Sequence, residues 1–264
     1  MNLLTLFWAE MRRELILLLR YPFELVSKLI WNLGFALMIF YGFQSVGGGL
    51  PGFEQGQMGR LLGLLITYIA INGISNATEL IAEETQTGTL EQAALSPPPL
   101  VLILFFRDVA QFLENLIRFA LVMAIAMALT GVRFHLNVPA IALLLFLMFL
   151  GTEGIGMVLG AAALLYKRVA TLSQFAVMLV FGLAVLPLDK LPGWMGLFVD
   201  NFPFTKALLL LRQVAINDVS LGTLVANGAV LGLLINALVY LGLGWACFLW
   251  AERTARDWGT LNQY

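Results

Sequence analysis

The chain has 264 residues, 60% of them hydrophobic and only 12% charged, with a formal net charge of -1. So apolar a composition excludes an ordinary soluble domain and identifies an integral membrane protein, and the balanced charge without a basic run argues against nucleic acid as a partner. The single cysteine, Cys247, lies in an apolar run, which points to a buried inert thiol rather than a disulfide or a metal ligand.

Residues 1–21 open the chain. On a helical wheel Leu4, Phe7, Trp8, Met11, Leu15 and Leu18 share one face, with Glu10, Arg13 and Glu14 opposite, a pattern suited to the membrane surface. Glu10, Arg12, Arg13 and Glu14 interrupt any continuous apolar region, so the segment is not expected to be a cleaved leader. Tyr21-Pro22 then supplies a turn, with proline where a new helix can begin without losing a needed N–H. The alternative is that 1–20 simply extends the first span.

A membrane helix needs about 20 mostly apolar residues. Six windows meet this, near 25–46, 59–82, 101–130, 138–165, 169–188 and 222–250. The expected architecture is therefore an all-α membrane protein, one transmembrane domain over 1–264 with spans one to five within 22–186, span six at 222–250 and a tail at 251–264. Arg12, Arg13, Arg20, Lys28, Arg107, Lys167, Arg168, Arg253 and Arg256 fall at one set of span ends, against Arg60, Arg133, Lys190, Lys206 and Arg212 at the other. This bias predicts both termini in the cytoplasm, with the chain in the plasma (inner) membrane. The first three spans show no repeat in the last three, which weakens an inverted-repeat carrier.

The polar block between spans two and three cannot reside in lipid. If span two continues through Glu83 and Glu84, Gly88 is a natural left-handed stop and Thr89 can cap a new helix, with Gln92 at the capping-box spacing. Leu90, Ala93, Ala94 and Leu95 give that helix an apolar face, and Pro97-Pro98-Pro99 ends it. The predicted product is a short rigid helix within 84–98, able to transmit a push.

Ionisable groups inside the spans come next. Glu114 and Arg118 share a helical face four residues apart and can neutralise each other, either on a translocation path or as a clamp between helices. Arg107 and Asp108 are read as marking the membrane interface, and Phe105, Phe106, Phe112 and Phe119 as lipid-facing bulk. Glu153 stands alone between glycines, where it either bonds a neighbouring helix or lines a cavity. Asn72, Asn76 and Glu79 form a polar stripe expected to face a dimer partner or the pathway, and His135 beside Arg133 reads as a solvated outer histidine. Gly47-Gly48-Gly49-Leu50-Pro51-Gly52 is a flexible outer loop without chemistry. At 187–213, two apolar segments too short to cross (194–199 and 204–211) are each preceded by a proline, Pro192 and Pro203, and separated by Asp200-Asn201-Phe202-Pro203. They read as an outer re-entrant hairpin with Trp194 at headgroup depth and Lys206 and Arg212 reaching water, or as an amphipathic surface loop.

The order Glu84, Gly88-Thr89-Leu90-Glu91 and Ser96-Pro97 resembles the permease subunits of type-2 ATP-binding-cassette exporters. Leu191-Pro192-Gly193-Trp194 and Asn201-Phe202-Pro203-Phe204-Thr205 extend the resemblance over most of the chain, while Glu83 departs from it where relatives often carry a basic residue. The resemblance implies a coupling helix at 89–95 seated in a separate ATPase subunit, an interfacial helix beside it, and an outer hairpin capping the exit. It further implies a second copy or a related permease, and lipophilic or amphipathic cargo. This chain has no phosphate-binding glycine loop, so it is not expected to be an enzyme; it holds no cofactor, and ATP and magnesium belong to the partner. The competing reading is an ion-coupled carrier using Glu153, Glu114 and Arg118.

Overall fold

The computed structural model describes residues 3–47, 53–87, 99–166, 170–185, 196 and 199–257. Its helices, in chain order, are α1 Leu3–Arg20, α2 Pro22–Gly47, α3 Phe53–Thr87, α4 Leu100–Thr130, α5 Val138–Tyr166, α6 Ala170–Val185, α7 Pro203–Ala215, α8 Leu221–Ala226 and α9 Ala229–Asp257; no strand occurs among the described residues.

Among the described residues five helices are long and apolar enough to cross a membrane: Pro22–Gly42, Met58–Glu84, Leu100–Thr130, Val138–Tyr166 and Ala229–Asp257. Of the fifth expected span, the described residues hold an apolar helical stretch, Thr171–Ala184, within α6; residues 169 and 186–188 of that span lie outside the described residues. The last span begins later than 222. Ser220 caps α8 by accepting from the Thr223 N–H, and Gly228 (φ 71°) breaks the chain in a left-handed conformation before α9 starts.

Helix α5 is the core of the bundle, buried along most of its length between α3 and α9. Small residues allow the close approach. A Cβ on Gly154 would lie 2.3 Å from the Tyr240 backbone, and one on Gly156 the same distance from the Gly73 carbonyl oxygen, so side chains larger than hydrogen would force the helices apart. A second apolar cluster, including Leu80, Leu104, Leu164 and Phe248, closes the bundle near the end where α3 finishes and α4 begins.

The chain breaks at Tyr21, so α1 is separate from the first span, and it packs chiefly on α4. Glu10 and Glu14 turn inward to α4, whereas Trp8, Leu15, Ile16 and Leu19 are exposed, so the acidic side of the wheel is the one that meets the protein. Its polar partners there are Arg107 and Gln111 on α4. Cys247 is exposed on α9, not buried, because only one stripe of that helix meets the protein.

Candidate functional site

Arg107 joins three elements. Its Nε donates to Glu10 on α1 at 3.3 Å and its Nη1 to Glu84 on α3 at 3.4 Å, with side-chain exposures of only 10%, 12% and 21% for Arg107, Glu10 and Glu84. The guanidinium suits this because its rigid fork can address two carboxylates at once. Beside it, the Gln111 amide donates to Glu14 at 3.5 Å and accepts from Asn76 at 2.7 Å, tying the same three helices a turn deeper. Burial pushes the Glu14 carboxyl above its ordinary range, partly opposed by the Gln111 hydrogen bond. Glu83 is exposed on the last turn and a half of α3. The other residues of the expected coupling helix, Gly88, Thr89, Leu90, Glu91, Ser96 and Pro97, lie outside the described residues, as do Pro192 and Trp194. The described part of α3 runs to Thr87.

A cleft of about 1100 Å³ opens between α2, α3, α4 and α6. The face of α3 that lines it carries Leu64, Tyr68, Ile71, Ser75 and Glu79, at the three- and four-residue spacing of one helical stripe. The expected stripe of Asn72, Asn76 and Glu79 therefore divides. Glu79 faces the cleft, while Asn76 turns to Gln111 and Asn72 is not among the lining residues. Arg118 is buried in the cleft wall, donating to Glu114 and to the Tyr68 hydroxyl and stacking its guanidinium 5.3 Å from the Tyr68 ring centre. Phe119 lines the cleft and Phe112 stacks on Phe149 at 4.5 Å, so neither is lipid-facing.

Asp108 and Glu153 are the pair that sequence reading missed. Asp108, expected at the interface, is completely buried and faces Glu153, also completely buried, with Asn76 alongside. Arg107, one residue away, points to Glu10 and Glu84 instead. Two carboxyl groups meeting away from water repel if both carry charge, and all four of their oxygens are buried without a hydrogen-bond partner among the described residues. No local spacing could have revealed a pair on two helices 45 residues apart. The one available signal was that neither carboxylate has a basic residue four positions away on its own helix.

At the opposite end, Pro203 occupies the first turn of α7, a helix largely buried against α5. The Arg212 Nη2 donates to the Gly59 carbonyl at 3.1 Å and the Ala184 carbonyl at 3.4 Å, fastening α7 to α3 and α6 rather than reaching water. Asn201 accepts from the Asn236 amide at 2.8 Å through its backbone carbonyl. His135 is exposed and lies 3.5 Å from Asp218.

Comparison of the whole chain with curated proteins finds no match. Residues 5–216 do match a family model, that of the ABC-2 type transporter, which covers the described helices from α1 to α7. That family is the membrane component of ATP-binding-cassette transporters, does no catalysis itself and implies pairing with an ATPase subunit of that class. A multi-pass apolar bundle with no nucleotide-binding loop in its sequence accords with it, and the chain belongs to the ABC-2 type transporter family, as the permease component of an ATP-binding-cassette transporter.

Proposed function

We propose that the chain is the membrane half of an ATP-driven exporter, moving a lipophilic or amphipathic substrate outward through the cleft between α2, α3, α4 and α6. A separate ATPase subunit binds ATP and magnesium, grips a coupling helix at residues 89–95 and pushes on the end of α3. Two permeases, identical or related, complete the transporter; each has both termini in the cytoplasm, α1 at the membrane surface and six spans, the fifth of them at 169–188. The single observation that carries this reading is Arg107, which ties α1 to the last turns of α3 just before the coupling segment. A push on that segment thus reaches α1 and α4 together instead of being absorbed in a loop. The fastening of α7 by Arg212 supports a closed outer end.

Ion-coupled transport through Glu153, Glu114 and Arg118 finds less support, since Glu114 is spent on Arg118 and Glu153 has no exposure to a pathway. Co-purification with an ATPase subunit, followed by transport and ATP hydrolysis in vesicles, tests the proposal. Gly88→Pro or Glu91→Lys should leave membrane insertion intact and uncouple hydrolysis from transport. Unchanged coupling in both variants, or transport by the chain alone without ATP, would overturn the assignment.

A further inference from the structure

We propose that the cleft is selective for a lipophilic cation, with Glu79 as the group that holds the positive head and the rings of Trp31, Phe35 and Phe181 as the wall for its apolar body. This rests on reading the cleft as the transport path, and adds the sign of the charge it accepts.

Among the described residues two side chains with a formal charge line the cleft, Glu79 and Arg118. Arg118 is 3% exposed, is neutralised by Glu114 and is covered by Tyr68, so its charge is already answered within the wall. Glu79 is exposed, and among the described residues no ion pair holds it. It sits five residues inside the end of the span Met58–Glu84, about 7–8 Å by helical rise. A carboxylate there is costly unless something positive comes to meet it.

The walls agree with that sign. Trp31 and Phe35 are stacked with ring centres 6.3 Å apart, and Phe35 meets Phe181 at 5.4 Å, joining aromatic rings from α2 and α6 in one continuous wall of the cleft. Aromatic faces attract cations and repel anions through the ring quadrupole. Near Glu79 the lining is hydroxyl-rich, with Ser75, Thr78 and Thr171, which suits a head that keeps part of its hydration. From Glu79 to Leu64 the α3 stripe rises about 22 Å and becomes apolar. The space therefore fits one positive charge at one end of an extended apolar body, and disfavours a polyanionic head.

Tetraphenylphosphonium and tetraphenylborate, nearly isosteric ions of opposite charge, test this with the full chain in zwitterionic nanodiscs, by equilibrium dialysis against empty discs. The expected result is saturable binding of the phosphonium, at least about tenfold tighter than the borate, as befits one partly hydrated charge contact. Glu79→Gln should abolish the preference and Glu79→Asp should keep most of it. Neutralising Lys167 and Arg168, the cations that precede α6, should tighten phosphonium binding further. An undiminished phosphonium preference in Glu79→Gln, preference of the parent chain for the borate, or no binding of either ion by the parent would overturn the proposal. Val177→Trp, which fills the slot, separates the two readings. If it blocks binding while Glu79→Gln keeps the full phosphonium preference, the charge assignment fails and the cleft stands; if it leaves binding unchanged, the cleft reading fails as well.

Discussion

Replacing Arg107 by glutamine removes one guanidinium from between two carboxylates, and the surroundings set the size of the effect. The contacts to Glu10 and Glu84 are 3.3 and 3.4 Å, at a site where all three side chains are mostly but not fully covered. At an effective dielectric constant near 20, one such contact is worth about 4 kcal/mol of Coulomb energy before desolvation is charged against it. Exposed pairs end at about 0–1 kcal/mol net, whereas stripping one partner from a fully buried pair costs about 3–5 kcal/mol. Arg107 lies between these limits, so Arg107→Gln should destabilise the chain by about 2 kcal/mol in reversible unfolding from mixed micelles. The triple variant Arg107→Gln, Glu10→Gln, Glu84→Gln leaves no charge stranded and should recover to within about 1 kcal/mol of the parent. Transport per ATP hydrolysed, measured with the ATPase partner, should fall severalfold in both variants, because a glutamine amide is shorter than the guanidinium fork and cannot address α1 and α3 at once. A single variant that unfolds like the parent and transports with unchanged stoichiometry would refute the reasoning.

Gly154→Ala should destabilise by about 1–3 kcal/mol or more, since its Cβ would meet the Tyr240 and Leu241 backbone at 2.3–2.5 Å and backbone cannot rotate away. Gly34→Ala on α2, with nothing within 4 Å, should be neutral or gain about 0.5–1 kcal/mol; equal effects at the two sites in the same unfolding assay would contradict the close α5–α9 packing. Glu14 gives a pH dependence. Its folded carboxyl holds its proton more tightly than the unfolded one, so the folded state binds more protons, and stability should fall as pH rises above the ordinary value of 4.5. In Glu14→Gln this component of the slope should vanish, and a slope of unchanged size would show that Glu14 does not carry it.

Several site features were legible along the chain because they depend on neighbours within one helix. The Glu114–Arg118 pair follows from a spacing of four, and the break at Tyr21-Pro22 from proline chemistry. The continuation of α3 beyond Glu84 toward Gly88 follows from the absence of any earlier stop. Other features were not legible for one reason, that a helix's rotation about its axis is set by what it packs against. That the acidic side of α1 is the one facing the protein depends on Arg107 and Gln111 on α4, and the Asn72, Asn76 and Glu79 stripe is divided, with Asn76 on Gln111 and Glu79 in the cleft.

Apolar length and polar interruption along one strand of sequence sufficed to make this a multi-pass helical membrane chain, since backbone groups in hydrocarbon can be satisfied only within each helix. Which carboxylates meet, Asp108 with Glu153 and Glu10 with Glu84 around Arg107, and that Glu79 opens into a cleft, were decided only when the helices packed. Contacts between helices depend on how glycine-lined surfaces such as Gly154 against α9 bring the cylinders together, and no periodicity within a single helix encodes that distance.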